Sequence, residues 1–294
     1  MRCSTSTVPD RGTLLVTGAA GQLGRAVATA CAPDWQVIGL GRAQFDLGQP
    51  EALLPLMREL QPSVVVNCAA LTDTGRCERE PAQADLLNSR APAALAAACR
   101  ATGSYLVQIS TNEVFDGEAD SPYHEDAPTR PLSAYARSKR AGEELVLAAA
   151  PDALVLRTAW LYGAGAQNFV QRVLGWAARQ PTLSVVTDEV ATPTACTSVA
   201  AAICELVRQR PRGLLHVTDG GSASRFAWAR EILRLSGADP DRVRPALLAD
   251  FPDAVPKPRY SVLSTARAES LGVRTIPWQS AFAAFMAART AEPA

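Results

Sequence analysis

A tyrosine and a lysine four residues apart are the side chains in this sequence best suited to moving a proton. Tyr135 and Lys139 lie in the run SAYARSK, residues 133–139. On a helix, residues i and i+4 lie one above the other on the same face. An ammonium group one turn away favours the phenolate, so we expect Lys139 to lower the pKa of Tyr135 from its ordinary value of about 10. The pair is a candidate acid/base for a carbonyl oxygen, although this spacing alone also arises by chance on many surface helices.

A hydroxyl upstream completes the candidate catalytic set. Thr111 follows the run 105–110 and precedes Tyr135 by 24 residues. The run is predicted to be a buried strand, so Thr111 lies where that strand ends. We predict that Thr111, Tyr135 and Lys139 are the catalytic residues, with Thr111 positioning the oxygen to which Tyr135 transfers its proton.

Three glycines near the N-terminus predict a dinucleotide site. The apolar run 14–17 leads directly into GAAGQLG, residues 18–24, and then into a helical pattern. Glycines at this spacing let the backbone turn tightly and approach a pyrophosphate, while the helix that follows offers free N–H groups. The alternative is a tight turn that uses glycine for its geometry alone.

The ends of the next predicted strands indicate which dinucleotide binds. No acidic residue ends the strand at 35–41, where an NAD site usually holds the ribose 2′-hydroxyl. Arg42 stands there instead and suits the 2′-phosphate of NADP, so we predict NADPH as the cofactor, with NADH as the alternative. Asp46 is a candidate partner for the adenine. The candidate cofactor-binding residues are Gly18, Gly21, Gln22, Leu23, Arg42, Asp46, Leu47, Cys68, Ala69, Ala70, Ser110, Tyr135 and Lys139.

Short apolar runs alternate with longer helical segments and predict the scaffold that positions these residues. Strands are predicted at 13–18, 35–41, 63–70, 105–110, 153–161, 183–188 and 213–219, and helices near 22–32, 50–60, 81–101, 133–150, 166–179 and 195–209. Runs such as VVV at 64–66 are apolar on both faces, which is typical of a parallel sheet covered by helices on both sides. We predict an α/β fold with a Rossmann-type doubly wound parallel sheet and a smaller C-terminal substrate lobe. The expected organisation is a flexible tail at 1–11, the dinucleotide-binding core at 12–160, and the remaining sheet elements interleaved with the substrate lobe at 161–294.

Composition excludes several other classes of function. Lys plus Arg and Asp plus Glu number 29 each among 294 residues, so no net charge favours nucleic acid or an anionic membrane surface. No stretch is apolar enough for a transmembrane helix. The two histidines, His124 and His216, are too few for a metal cluster, and no metal site is predicted. Seven cysteines without a C-x-x-C pair predict reduced thiols in a cytoplasmic protein, not disulfides.

Taken together, the motifs resemble those of one enzyme family. VTGAAGQLG at 16–24, NCAA at 67–70, ST at 110–111 and VFDG at 114–117 precede Tyr135, Lys139 and AGE at 141–143. RTAWLY at 157–162, NF at 168–169 and the segment from Asp188 to PT at 193–194 complete the set. The chain resembles the dTDP-4-dehydrorhamnose reductase family of the extended short-chain dehydrogenase/reductase superfamily. The resemblance implies an oxidoreductase of deoxysugar biosynthesis, in which NADPH delivers hydride to C4 of a dTDP-4-keto-6-deoxy sugar while Tyr135 protonates the oxygen.

The same resemblance implies which residues border the sugar nucleotide. The candidate substrate-binding residues are Thr72, Asn112, Glu113, Trp160, Asn168 and Arg259. Arg259 is a candidate diphosphate ligand, and the alternative for Trp160 is core packing at a seam between the lobes. The resemblance also allows a homodimer.

Departures from the family pattern leave the exact substrate open. The family usually has Asp-Tyr after the catalytic threonine, whereas this chain has Asn112 and Glu113. Ala26 replaces an acidic residue that contributes to a dimer-interface metal in some relatives. Nucleotide-sugar 4,6-dehydratases carry Thr-Asp-Glu instead, but the amide of Asn112 cannot donate the proton that dehydration needs. Dehydratase or epimerase chemistry and a non-catalytic NADP-binding regulatory subunit are the alternatives.

Overall fold

Strands and helices alternate along most of the chain. The computed structural model describes residues 12–44, 46–165 and 168–291. The strands are β1 (Thr13–Thr17), β2 (Gln36–Leu40), β3 (Val64–Asn67), β4 (Tyr105–Thr111), β5 (Leu154–Thr158), β6 (Leu161–Tyr162), β7 (Leu183–Val186), β8 (Val190–Ala191), β9 (Thr194–Ala195), β10 (Gly213–His216), β11 (Ala223–Ser224) and β12 (Val243–Ala246). The α-helices are α1 (Gln22–Cys31), α2 (Leu53–Leu60), α3 (Thr74–Arg79), α4 (Pro81–Asp85), α5 (Ala91–Thr102), α6 (Ala134–Ala149), α7 (Phe169–Ala177), α8 (Cys196–Gln209), α9 (Arg225–Leu235), α10 (Ala266–Ser270) and α11 (Trp278–Ala291).

The central sheet has six strands in the order β10-β5-β4-β3-β1-β2, and every pairing in it is parallel. The strand order reverses between β1 and β3, whose register pairs Leu14 with Val64. In open parallel sheets, ligands bind in the crevice outside the carboxyl ends of the strands at such a reversal. The predicted Rossmann-type sheet is confirmed. The reversal of strand order indicates that a ligand site lies at the carboxyl ends of β1, β3 and β4.

Each face of the sheet has its own apolar core, because successive side chains along a strand point to opposite faces. Leu14 packs in a core that includes Ile203 of α8, whereas the next residue, Leu15, packs with Leu95 of α5 and Val146 of α6. Burial of each such side chain contributes about 1.5–3 kcal/mol. The two cores fix the strand ends on which the candidate site depends.

A further core lies in the C-terminal part of the chain. Val170 of α7, Trp228 of α9 and Phe282 of α11 are fully buried in it. Three two-stranded pairs, β12 with β7, β11 with β8 and β6 with β9, accompany these helices, while β10 returns to the central sheet. The sequence did not predict α9 or α11.

The predicted elements are found close to their expected bounds, but three of them are divided. The strand predicted at 153–161 consists of β5 and the start of β6, and the helix predicted at 50–60 begins with a 3-10 turn at Pro50–Ala52 before α2. The helix predicted at 81–101 consists of α4, a π-helical turn at Leu86–Arg90, and α5. Pro92 lies in the first turn of α5 and has no N–H to donate, so it interrupts a regular α-helical ladder there. The predicted tail at 1–11 lies outside the described residues.

The expectation that the cysteines are all reduced is wrong for one pair. Cys31 of α1 and Cys204 of α8 form a disulfide, with their Cα atoms 5.6 Å apart and a sequence separation of 173. Because α1 and α8 pack side by side on one face of the sheet, the fold brings together two thiols whose spacing gave no indication of pairing. Cys68, Cys77, Cys99 and Cys196 are free.

Within the described residues, no helix combines the length and apolar character that crossing a membrane requires.

Candidate functional site

The turn between β1 and α1 forms the floor of a cavity at the strand reversal. Gly18 has φ +67°, and a Cβ there would lie 2.7 Å from the Ala69 backbone nitrogen. A Cβ on Gly24 would lie 2.8 Å from the Ala19 Cα. Only glycine lets the loop lie this close to the end of β3 and to its own helix. The N-terminus of α1 is thereby left facing the cavity.

The cavity has a volume of about 580 Å³ and brings together most of the residues predicted to bind a dinucleotide. Arg42 and Asp46 are both exposed at its rim. Its lining residues are Gly18, Ala20, Gly21, Gly41, Arg42, Asp46, Leu47, Cys68, Ala69, Ala70, Arg76, Gln83 and Leu87. Arg76, Gln83 and Leu87 were missed by the sequence analysis, since they belong to a helical segment that carries no nucleotide motif.

Five of the predicted cofactor residues lie outside this lining: Gln22, Leu23, Ser110, Tyr135 and Lys139. The Ser110 hydroxyl donates a hydrogen bond to Glu143 at 2.6 Å. Leu23 is 5% exposed and packs in the core beneath the sheet. The Gln22 side chain donates a hydrogen bond to the Leu161 carbonyl over 3.2 Å. It also accepts one from Asn168 over 3.3 Å, which links α1 to the C-terminal part of the chain.

A buried amide network holds the ends of three neighbouring strands. Asn67 at the end of β3 accepts a hydrogen bond from the Thr17 hydroxyl at 2.5 Å and donates one to Gln108 at 2.7 Å. The same Asn67 oxygen accepts from the Ala69 backbone N–H at 3.2 Å. Paired buried polar groups of this kind hold their neighbours in one arrangement, and here they fix the loop that packs against Gly18.

The candidate catalytic pair lies at the start of α6. The Ser133 hydroxyl accepts a hydrogen bond from the Ala136 N–H at 3.1 Å and so caps the helix. This cap places Tyr135 in the first turn and Lys139 one turn later, as the spacing predicted. The Lys139 ammonium donates to the Ile109 carbonyl of β4 at 2.7 Å, next to the strand end that carries Thr111.

The electrostatics of Tyr135 differ from the sequence-based expectation. Burial of the phenol is the main cause that raises its pKa above the ordinary value, and the Glu113 carboxylate raises it further. A hydrogen bond with the Thr111 side chain acts in the opposite direction. The prediction that Lys139 lowers this pKa is therefore wrong for the chain by itself: desolvation dominates, and the ammonium is engaged with the Ile109 carbonyl.

Lys139 has a strongly shifted pKa of its own. Burial lowers it to about 8, while the Glu143 carboxylate opposes that shift. A buried ammonium loses its hydration and becomes easier to deprotonate. Near neutral pH the phenol is thus protonated and Lys139 mostly cationic.

Glu113 and Asn112 connect the end of β4 to the segment at 257–261. One Glu113 carboxylate oxygen accepts from the Lys257 ammonium at 2.9 Å, with side chains 13% and 21% exposed. The other oxygen, Oε2, is buried and has no hydrogen-bond partner among the described residues. The Asn112 amide donates to the Ser261 hydroxyl at 2.7 Å and to its carbonyl at 3.3 Å. Asn112 therefore holds the segment at 257–261 against the end of β4, and Glu113 Oε2 can still accept a hydrogen bond.

Trp160 follows β5 and belongs to a stack of rings and a guanidinium. It has φ +40°, and its ring stacks on Trp228 with centroids 5.7 Å apart. The Arg225 guanidinium lies 3.6 Å from the Trp160 ring centroid, within the range of a cation–π contact. Arg225 also pairs with Glu189 at 3.1 Å. Sequence reasoning missed Arg225 and Glu189, because no motif joins residues so far apart along the chain.

The remaining candidate substrate residues are dispersed. Asn168 is 7% exposed and caps α7 by accepting from the N–H groups of Val170 and Gln171. Thr72 is exposed. Arg259 is exposed and lines a second cavity of about 270 Å³, which Lys257 also lines.

Comparisons with known proteins were made for the whole chain. The family model described as "RmlD substrate binding domain" matches residues 12–291. A "Probable dTDP-4,6-dihydroxy-2-methyloxan-3-one 4-ketoreductase" from Streptomyces antibioticus is 43% identical over 271 residues, covering 91% of this chain and 92% of the relative. A "dTDP-4-dehydrorhamnose reductase" from Streptomyces griseus is 41% identical over 275 residues, covering 91% and 90%.

A solved structure extends the likeness to three dimensions. The dTDP-4-dehydrorhamnose reductase from Bacillus anthracis, in complex with NADP, has a TM-score of 0.90 and 27% identity, covering 95% of this chain and 99% of the other. The family resemblance predicted from the motifs is confirmed. With nearly all of its length matched by the family model, this chain belongs to the RmlD substrate-binding-domain family of dTDP-4-dehydrorhamnose reductase relatives.

Proposed function

We propose that this chain is an NADPH-dependent ketoreductase that reduces the C4 carbonyl of a dTDP-4-keto-6-deoxy sugar. The observation that carries the proposal is the meeting of Thr111, Tyr135 and Lys139 at the carboxyl end of β4. This strand pairs with β3, and the segment that follows β3 lines the glycine-floored cavity. The names of the two Streptomyces relatives, a 4-ketoreductase and a dTDP-4-dehydrorhamnose reductase, support the substrate class.

The cavity fits a dinucleotide phosphate. Cβ atoms at Gly18 and Gly24 would overlap backbone atoms of the loop and of the segment after β3, so glycine lets this loop form the floor of the cavity. The free N–H groups of α1 suit the negative charge of a pyrophosphate. The guanidinium-bearing residues Arg42 and Arg76 line the same cavity and suit a 2′-phosphate. NADPH, when bound there, supplies the hydride. The NADP complex of the Bacillus anthracis relative supports this assignment.

The protonation states favour reduction of a ketone. Burial and the Glu113 charge raise the pKa of Tyr135, so the phenol is protonated near neutral pH and can give its proton to the C4 oxygen as that oxygen gains charge. The Thr111 hydroxyl orients the same oxygen. Lys139, one turn from Tyr135, stabilises the phenolate that remains, and it would hold the ribose hydroxyls of the bound cofactor.

Some of the candidate substrate residues hold the structure of the site, and others are available to contact the sugar. Asn112 and Asn168 hold segments of the site in place through their own hydrogen bonds. We propose that Glu113, through its unpartnered Oε2, accepts a hydrogen bond from a sugar hydroxyl. Trp160, braced by Arg225, would border the sugar. Thr72 and Arg259 stay candidates at the periphery, with Arg259 for the diphosphate.

The test is oxidation of NADPH with a panel of dTDP-4-keto-6-deoxy sugars, followed by NMR assignment of the C4 configuration of each product. We expect oxidation that depends on the keto sugar, and a 4-hydroxy product. Incubation with dTDP-glucose and NAD is the matched control for dehydration. A 4-keto product from that control, without ketone reduction in the panel, would overturn the proposal in favour of the dehydratase alternative, which the amide at Asn112 argues against.

A further inference from the structure

A buried ion pair lies directly behind the catalytic residues. Glu143 of α6 and Arg157 of β5 are each 1% exposed and meet through two parallel hydrogen bonds, Nε to Oε1 at 2.8 Å and Nη2 to Oε2 at 2.7 Å. This bidentate geometry is the strongest form of an arginine–carboxylate contact. Arg157 also lies 3.4 Å from the His216 ring nitrogen of β10.

The carboxylate faces the catalytic centre as well as the arginine. The Ser110 hydroxyl donates to Glu143 Oε1 at 2.6 Å, and Ser110 immediately precedes Thr111. Glu143 also lies four residues after Lys139, so that both side chains project from the same face of α6. One anionic group therefore contacts the residue before Thr111 and lies one turn from the ammonium that serves Tyr135.

A purely structural ion pair would not require this placement. Taking two charges out of water is costly, and replacing a buried pair with apolar side chains is often neutral or stabilising. In the Glu143 carboxylate, Oε1 accepts hydrogen bonds from both Ser110 and Arg157. The arrangement instead brings a fixed negative charge to the one buried ammonium of the site.

We propose that Glu143 is a positioning residue for the reduction: its carboxylate is the countercharge that keeps Lys139 protonated, and it anchors Ser110 so that Thr111 faces Tyr135. This inference rests on the proposed ketoreductase function. Glu143 touches neither the cofactor cavity nor the sugar in this account, and it acts through Lys139 and Ser110.

The groups around Lys139 define the pH effect to expect. Its own helix contributes Tyr135 and Glu143, the segment after β3 contributes the Cys68 thiol, and β4 contributes the Ile109 carbonyl. Burial lowers the pKa of Lys139 to about 8 although Glu143 already opposes the shift. Removal of the Glu143 charge must therefore lower it further and move the loss of the ammonium towards neutral pH.

The test compares Glu143→Gln with Glu144→Gln. This matched control removes the carboxylate of the next residue, which is 62% exposed and pairs with Arg140. NADPH affinity is measured by fluorescence titration from pH 6 to pH 10, and keto-sugar reduction over the same range. For Glu143→Gln we expect the alkaline loss of both affinity and kcat to move down by about one pH unit or more, a roughly tenfold change in the ammonium-to-amine ratio. Glu144→Gln and Glu143→Asp are expected to follow the wild-type profile.

Folding is checked by circular dichroism, because Glu143→Gln leaves Arg157 buried without its partner. If that variant unfolds, Glu143→Gln/Arg157→Gln removes both charges together. A downward shift is again expected from it, smaller than in the single variant, because loss of the more distant Arg157 cation offsets part of the effect. An unshifted alkaline limb in the folded variant, single or double, would overturn the inference. If the wild type binds NADPH but reduces no keto sugar, the proposed function fails, while the binding profile still decides the role of Glu143.

Discussion

Gly18 follows β1 and begins the glycine motif at 18–24, which we call the cofactor cradle. Adding a single methyl group at Gly18 tests this cradle. In Gly18→Ala, alanine must adopt φ +67°, a left-handed conformation that costs about 1–2 kcal/mol for a residue with a Cβ. The new Cβ would also lie 2.7 Å from the Ala69 nitrogen and 2.8 Å from its Cα. Those are backbone atoms that cannot rotate away, and overpacking of this kind costs about 1–3 kcal/mol. We expect a total loss of about 2–5 kcal/mol, expressed partly as displacement of the loop.

Gly103→Ala is the matched control, because it separates backbone strain from steric overlap. Gly103 ends α5 with φ +73°, and an added Cβ meets no atom of the described structure within 4 Å. It should therefore cost only the strain of about 1–2 kcal/mol. Urea unfolding gives the two losses of stability, and fluorescence titration gives the NADPH affinity. We expect Gly18→Ala to weaken NADPH binding about tenfold or more and Gly103→Ala to leave it unchanged. Equal stability losses with unchanged affinity in both variants would refute the cradle.

Three further predictions concern other parts of the molecule. Lys257→Met leaves the Glu113 carboxylate, 13% exposed, without its counterion, so kcat/KM for the keto sugar should fall about tenfold. Lys257→Arg should preserve activity. An unaltered kcat/KM in Lys257→Met would count against the pairing. Because Cys31 and Cys204 are joined, thiol titration of the denatured chain should find two more reactive thiols after reduction than before it, whereas equal numbers would contradict the disulfide. Burial lowers the pKa of His216 from its ordinary 6.5 to about 3, so the folded chain binds fewer protons than the unfolded chain. The free energy of unfolding should therefore fall as pH drops below about 6.5, by about 2 kcal/mol at pH 5 and on the order of 5 kcal/mol in total. His216→Gln should flatten that dependence in urea unfolding at pH 7.5 and pH 5, and an identical slope would argue against it.

The sheet was predictable because its strands are locally encoded. Runs such as 64–66 are apolar on both faces, and only a parallel sheet between two helical layers buries both. The cradle and the catalytic helix were predictable for a related reason. The glycines at 18, 21 and 24 form one motif, and Tyr135 and Lys139 form another. Each motif spans fewer than ten residues, so its spacing along the chain determines its geometry.

What the sequence could not predict depends on contacts between distant segments. Glu143, Arg157 and His216 meet only because α6, β5 and β10 pack together, and Cys31 meets Cys204 across two helices for the same reason. The protonation of Tyr135 was mispredicted because one neighbouring charge was considered without burial, which dominates its pKa. Helix α9 carries an arginine at its first position, and nothing local indicates that its guanidinium covers Trp160.

The most direct test of the central claim compares the wild type with Tyr135→Phe, which removes only the phenol oxygen. NADPH oxidation is followed with and without a dTDP-4-keto-6-deoxy sugar, and NADPH affinity is measured in parallel. We expect that oxidation by the wild type depends on the keto sugar, that Tyr135→Phe loses about 10²–10⁴-fold in rate, and that its NADPH affinity is retained. A Tyr135→Phe variant that reduces the keto sugar at the wild-type rate would contradict the assignment of Tyr135 as the proton donor.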